Sequence, residues 1–329
     1  MAETMRAVVI REPGGPDVLE LRDVPVPPLA PGEIRVRVGT SGVNRADLLQ
    51  RRGGHPAPPG SPRDIPGMEF AGTVDQVGEG VTRWRSGDRV MGIIGGGGYA
   101  QFVVTHEDAA VRVPAAMGMA EAGAIPEVFM TAFDAVVLQE GLRAGETLLV
   151  HAVGSGVGTA GLQLGRAFGA RVVGTSRSPD KLRKAGELGL EHPVLGDDGW
   201  PERVLEITGG HGADVILDLV GGPYLAGNQK VLALGGRHIV VGVTGGAKTE
   251  VDLRALMTRR AHVRGTVLRV RPVEEKIALM QAFEARALAF FDTGVLRPVV
   301  DRVLPAEDAA EAHRLLEANA TFGKVLLRW

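Results

Sequence analysis

The sequence predicts an α/β protein of two unlike parts, a compact antiparallel β-barrel and a doubly wound parallel sheet. Three observations predict it. Over the first ~125 residues, short runs of strand character are separated by glycine-rich and proline-rich turns. Beyond about residue 147, apolar runs alternate with helical stretches. At the first of those junctions a strand runs into Gly154, Gly156, Gly158 and Gly161 as a helix begins.

The elements follow in order. RAVVI (6–10) opens the chain. IRVRV (34–38) alternates strictly, placing Ile34, Val36 and Val38 inward and Arg35 and Arg37 outward, as in a half-buried strand. FAGTVDQVG (70–78), GDRVMGI (87–93) and YAQFVV (99–104) continue the series. The five prolines between Gly53 and Gly67 exclude a helix there. Near Pro114 the rhythm changes, and residues 120–139 read as helix interrupted at Pro126. TLLVHA (147–152), RVVGT (171–175), ADVILDLV (213–220) and RHIVVGV (237–243) are apolar strands with helices between them, one from about Val157 to Phe168 and one from Pro179 to Leu188. Strands apolar on both faces and alternating with helices describe a parallel, doubly wound sheet. The tail reads as a helix over Pro272–Asp292, a strand at 299–305, an amphipathic helix over Ala306–Asn319 and a closing strand at 323–329.

Composition narrows the function. With 37 basic and 39 acidic residues the net charge is -2, and no basic stripe suggests a nucleic-acid partner. Arg51 with Arg52, and Arg259 with Arg260, read as solvated faces, each placed where it could help hold a cofactor phosphate. Cysteine is absent, which removes disulfides, thiolate catalysis and every cysteine-containing zinc site. No run approaches the ~18 apolar residues that a membrane span needs. Met1–Ile10 carries Glu3 and Arg6 without a long apolar stretch, so it does not read as a secretory signal, and a cytoplasmic location is expected.

Gly156-Val157-Gly158-Thr159-Ala160-Gly161 matches G-x-G-x-x-G between a strand and a helix. Glycine permits the tight turn and lets backbone N–H groups approach a pyrophosphate, towards which the helix N-terminus adds partial positive charge. The competing explanation is close helix–strand packing. An NAD-specific fold carries an acidic residue about 20 positions on; here Thr175 stands there, with Ser176, Arg177, Ser178 and Lys181 close by. From Gly174 to Ser178 no carboxylate stands to repel a 2′-phosphate, so NADPH is the expected cofactor.

GVNRADLLQRRG (42–53), IPGMEFAGTV (65–74), GDRV (87–90), GGYAQFV (97–103), AIPEVFMTAF (124–133), HAVGSGVG (151–158), GGRHIVVG (235–242) and ATFGKVLL (320–327) together resemble the zinc-free, zeta-crystallin-like quinone oxidoreductases of the medium-chain dehydrogenase/reductase superfamily. The resemblance implies a GroES-like β-barrel catalytic domain over 1–125, completed by 266–329, and a Rossmann domain over 126–265. It implies a homodimer or tetramer. The metal-holding positions of the zinc relatives fall on Asn44, Met68 and Glu127, so no metal is expected. Carried over by position, Asn44 and Thr131 would line the nicotinamide, with Gly242 and Val243 bordering it. Ser155, Gly156, Val157 and Gly158 would hold the pyrophosphate, and Ser176, Arg177 and Lys181 the 2′-phosphate. Gly323 and Lys324 would approach from the tail. His55 stands where many relatives have tyrosine, and the tyrosine that often helps hold the adenosine phosphate is missing near residues 195–196.

The activity implied is direct hydride transfer from NADPH to a quinone, with the Asn44 amide donating to the developing oxyanion. Reduction of an activated C=C bond in an enone or enoyl thioester is the alternative, with His55 as proton donor. A weakly catalytic NADPH-binding sensor is the alternative from another class.

Overall fold

The computed structural model describes residues 3–329. The chain divides into two compact units, Met1–Met130 with Leu268–Trp329, and Thr131–Val267.

In the first unit, β1 (Thr4–Ile10) and β2 (Leu19–Pro25) form an antiparallel pair. β3 (Glu33–Val43), β4 (Glu69–Val77), β5 (Arg89–Ile93), β6 (Phe102–His106) and β7 (Val111–Arg112) follow. Ile34, Val36 and Val38 are buried, as their alternation predicts. Arg35 is the exception to that pattern, since it is buried although it lies on the outward face of the alternation. Its guanidinium is held 2.6 Å from Asp75 and lies over the Phe102 ring, so its stem is covered while its charge is paired. Tyr99 precedes β6 instead of joining it, and its ring is fully buried.

The predicted interruption at Pro126 separates a short helix, Met119–Ala122, from Pro126–Ala132. Proline at a first helical position has no N–H to waste, which suits it there. One helix escapes the reading of the first segment as strands and turns. Arg45–Arg51 is helical, and Asp47, at the third helical position, accepts from the Asn44 backbone N–H at 2.8 Å. Asn44-x-x-Asp47 is the spacing of a helix-start box.

The second unit holds β8 (Thr147–Val150), β9 (Arg171–Ser176), β10 (His192–Leu195), β11 (Ala213–Asp218), β12 (Leu232–Val240) and β13 (His262–Gly265). Its sheet is parallel throughout, in the order β10-β9-β8-β11-β12-β13. Counted within the unit this is 3-2-1-4-5-6, the doubly wound order whose ligands sit at the carboxyl ends of the strands. Leu149, Val173, Val194, Ile216 and Leu232 form the core between sheet and helices.

The tail returns to the first unit. β14 (Val300–Pro305) runs parallel to β15 (Lys324–Arg328), which pairs antiparallel with β3 over Val325↔Val43 to Arg328↔Thr40. β3 changes partner along its length: residues 33–37 pair with β6 and residues 40–43 with β15. The resulting sheet runs β14-β15-β3-β4-β5-β7.

Gly323 starts the returning strand with φ +85, and a Cβ there would lie 2.4 Å from the Val299 carbonyl oxygen. A left-handed backbone costs a non-glycine residue about 1–2 kcal/mol, and the contact with main chain adds to it. Gly323→Ala should therefore lower unfolding free energy by about 2 kcal/mol or more in a urea titration; an unchanged midpoint would show that this junction tolerates a side chain.

Candidate functional site

The first unit carries a cluster of charged groups under β3, β4 and β15. Lys324 is buried, and its ammonium donates to Glu69 Oε1 at 2.6 Å, Asn44 Oδ1 at 2.7 Å and the Val43 carbonyl at 3.1 Å. Three acceptors satisfy all three of its protons. Gly42 makes room for the pair, because a Cβ on it would come within 2.1 Å of Glu69 Oε1. Asn44 Nδ2 donates to Glu69 Oε1 at 2.8 Å and to the Gly42 carbonyl at 3.3 Å. Both amide protons are thus committed inside the protein, which corrects the expectation that this amide donates to an acceptor's oxygen. Asn44 is a positioning group here.

Glu69 Oε2 accepts from the Glu127 backbone N–H at 2.8 Å. Burial of its carboxyl and the neighbouring Glu69 carboxylate push Glu127 up to about 8, although the residue as a whole retains some exposure. Glu127 therefore holds a proton at neutral pH. His55 does not, because burial and the nearby Arg269 charge lower it. Its backbone carbonyl accepts from Arg269 at 3.1 Å, which ties the proline-rich loop to the tail.

Behind the cluster, fully buried Asp47 accepts from Gly67 N–H at 3.1 Å and Tyr99 O–H at 3.0 Å, as well as from Asn44 N–H. Burial raises it to about 6. Tyr99 meets His313 Nε2 at 3.3 Å, and His313 Nδ1 lies 3.1 Å from Arg51 Nη1. Arginine can only donate, so Nδ1 accepts and Nε2–H points to Tyr99. Burial drives His313 down to about 3, keeping it neutral. Arg51 ends this chain by pairing with Glu317, which Arg52 also contacts. Arg51 is completely buried and is no solvated charge; its NH groups are spent on Gly14, His313 and Glu317. A surface cavity of about 410 Å³ beside Pro13, Arg51, Arg52 and Glu317 is accordingly not a phosphate site, since the carboxylate already occupies both cations.

In the second unit, Ser155 caps the helix Gly156–Ala167 by accepting from Gly158 N–H at 3.1 Å. The Gly156 and Val157 amides, in the first turn, have no partner within a helix. The later glycines serve packing: a Cβ on Gly158 would lie 2.4 Å from the Ala152 carbonyl, and one on Gly161 would lie 2.6 Å from the Leu217 side chain on β11. Close packing thus accounts for Gly158 and Gly161.

At the end of β9, Thr175 faces inward. Its hydroxyl is 2.8 Å from His151 Nδ1, whose Nε2 lies 2.6 Å from Asn228 Oδ1. Burial lowers His151 to about 4, so the ring is neutral and Nε2 donates. Asn228 Nδ2 continues to Asp218, which His238 contacts at 2.9 Å. Thr175 is therefore a structural residue, and the groups presented at the strand end are the next ones. Ser176 Oγ accepts from Ser178 N–H at 3.2 Å, and Ser178 Oγ caps the helix Pro179–Glu187 through Lys181 N–H. Arg177 is exposed and makes no ion pair among the described residues. Gly242 and Val243 follow β12, where Gly242 N–H reaches the Asp218 carbonyl at 3.2 Å. Thr131 is buried at the start of the unit. Ser155–Gly158, Ser176, Arg177, Lys181, Gly242 and Val243 thus gather at the carboxyl edge of the sheet, whereas Asn44, His55, Gly323 and Lys324 belong to the first unit.

Among the described residues no three His, Asp or Glu side chains are grouped to hold a metal. Sequence reasoning missed Asp47, Glu69, Tyr99, His313 and Tyr224. Tyr224 stacks on Trp200 with ring centroids 5.4 Å apart, and its hydroxyl meets the Gly196 carbonyl at 3.4 Å.

Comparison with known proteins places these features. Residues 156–284 match the family described as zinc-binding dehydrogenase, and residues 30–115 match the alcohol dehydrogenase GroES-like domain. The quinone oxidoreductase of Lama guanicoe is 33% identical over 98% of this chain and 97% of its own length. That of Homo sapiens is 30% identical with the same coverage. Among solved structures, an NAD-dependent alcohol dehydrogenase aligns with a TM-score of 0.87 at 37% identity, over 99% of this chain and 100% of that one. The JamJ enoyl reductase in its apo form aligns with a TM-score of 0.86 at 26% identity, over 99% of both chains.

The raised Glu127 predicts a pH dependence of stability. Between about pH 4.5 and pH 8 the folded chain holds a proton that the unfolded chain has released, so this carboxyl makes stability fall as pH rises through that window. Glu127→Gln should remove that contribution. Urea midpoints compared at pH 5 and pH 8.5 should drop less for the variant than for wild type, and equal drops would refute the assignment.

Proposed function

Because the chain belongs to the quinone oxidoreductase family of medium-chain dehydrogenases/reductases, we propose that it is an NADPH-dependent, metal-independent quinone reductase. The observation that carries the cofactor choice is Arg177, exposed and without an ion-pair partner among the described residues, at the carboxyl end of the second sheet strand. Ser176 and Ser178 flank it, and no carboxylate occupies the stretch from Gly174 to Ser178. A guanidinium with neighbouring hydroxyls suits a 2′-phosphate, and an acid there would suit a free ribose hydroxyl.

The residues present fit such a cofactor. The Gly156 and Val157 amides and the helix N-terminus suit a pyrophosphate, and the strand order 3-2-1-4-5-6, whose ligands sit at the carboxyl ends of the strands, supports that reading. When bound, the nicotinamide supplies a hydride. The protein's own contribution in the first unit is a fixed, water-poor cluster. Lys324 and Glu69 lock the Asn44 side chain, and Glu127 holds a proton at neutral pH for the reduced acceptor. The same geometry supports metal independence. The Asn44 Oδ1 and Glu69 Oε1 oxygens are already bound to the Lys324 ammonium, and a cation placed beside them would meet that charge.

Reduction of an activated C=C bond is a second reading: it takes the same hydride and proton as quinone reduction, but its proton goes to carbon, for which a protonated Glu127 suits as donor. A steady-state panel of quinones and enones separates the two.

Two variants test the cofactor assignment. A charge-assisted contact contributes about 1.5–3 kcal/mol, so Arg177→Ala should raise KM for NADPH by about tenfold or more and leave KM for NADH unchanged. Equal use of NADH by wild type would overturn the phosphate assignment. Gly156→Asp should abolish NADPH binding in a protein that still unfolds cooperatively, because its carboxylate repels the pyrophosphate. A folded variant with wild-type affinity would falsify the loop's role.

A further inference from the structure

We propose that Tyr224 is a ligand of the cofactor's 2′-phosphate, delivered from the loop after β11 to the place where residue 196 carries no side chain. The inference rests on the NADPH reading and deepens it. Gly196 follows β10, and its N–H donates to the Ser176 carbonyl at the end of β9 at 2.9 Å. A Cβ on Gly196 would lie 2.7 Å from the Tyr224 hydroxyl, 3.4 Å from the Ser176 carbonyl carbon and 3.5 Å from the Arg177 amide nitrogen. The tyrosine oxygen thus occupies the space in which a side chain at 196 would begin, against the backbone that leads into Arg177.

The loop holds it there. Gly221 has φ +83, a conformation that favours glycine, and Asp218 Oδ1 accepts from the Val220 and Gly221 amides at 2.8 and 2.9 Å. The ring lies flat on Trp200, with an interplanar angle of 14°, and edge-on to His151 at 4.8 Å. Two aromatic contacts leave the ring little freedom and aim the hydroxyl at Gly196.

The hydroxyl is also chemically available. Its contact with the Gly196 carbonyl is long, at 3.4 Å, so turning its proton to a phosphate oxygen sacrifices little. Burial raises its pKa against the pull of Arg177, which keeps it protonated and a donor at neutral pH. A neutral O–H and a guanidinium then converge on one anionic group.

The test uses the full chain and two ligand pairs, NADPH against NADH and adenosine 2′,5′-bisphosphate against 5′-AMP, titrated calorimetrically. Tyr224→Phe keeps the ring stack and removes only the donor. It should weaken NADPH and the bisphosphate about tenfold while leaving NADH and 5′-AMP within about twofold of wild type. Gly196→Ala keeps the hydroxyl but displaces it, and should give the same pattern. Undiminished NADPH affinity in both variants overturns the proposal, as does an equal loss for phosphorylated and unphosphorylated ligands, which would make Tyr224 a platform for adenine. If wild type itself fails to prefer the bisphosphate over 5′-AMP, the NADPH reading falls and this inference with it. A wild-type preference that survives in both variants removes Tyr224 alone.

Discussion

A buried ammonium–carboxylate pair, Lys324 with Glu69, is the constraint around which the first unit is arranged. The side chains of both are at most 4% exposed, so neither charge has water to solvate it. Breaking such a pair by removing one partner typically costs about 3–5 kcal/mol, because the survivor is left buried and unpaired. The pair requires β15 to return beside β3, since Lys324 begins one strand and Val43 and Asn44 end the other. It requires glycine at 42, where any side chain would enter the carboxylate. It also consumes both faces of the Asn44 amide, turning the best candidate for an acceptor's hydrogen-bond donor into part of the support.

The same economy of donors runs outward through Asp47, Tyr99, His313, Arg51 and Glu317. Each member has one orientation, fixed by the arginine's inability to accept and by the neutrality of a deeply buried imidazole. The chain fixes the start of the helix Arg45–Arg51, and so the position of Asn44 at its cap. A rigid support of this kind suits chemistry that depends on alignment more than on acid strength.

In the second unit, direction along a strand decides the chemistry. β9 ends at Ser176, so Thr175 is still enclosed within the strand and meets His151, whereas Arg177 lies just past the strand end and is exposed. Counting from the glycine turn leads to this stretch, where two positions separate the buried hydroxyl of Thr175 from the exposed cation of Arg177. Likewise the motif's glycines divide their labour: Gly158 and Gly161 admit the helix to the sheet, and Gly156 begins it.

By itself the sequence determined what depends on local periodicity and backbone conformation. The alternation of Ile34, Val36 and Val38, the break at Pro126, the parallel strands and the strand–glycine–helix junction all appear where the pattern puts them, because each is dictated by a residue's immediate neighbours and its allowed dihedrals. Tertiary structure decided what depends on residues far apart meeting. Arg51 looks like half of an exposed basic dipeptide until His313 and Glu317, more than 260 positions on, enclose it. Asn44 looks like a free amide until Lys324 reaches it, and Tyr224 has no local mark that associates it with Gly196. Burial, pairing and the proton held by Glu127 are properties of an environment assembled from distant segments, so one-dimensional spacing cannot display them.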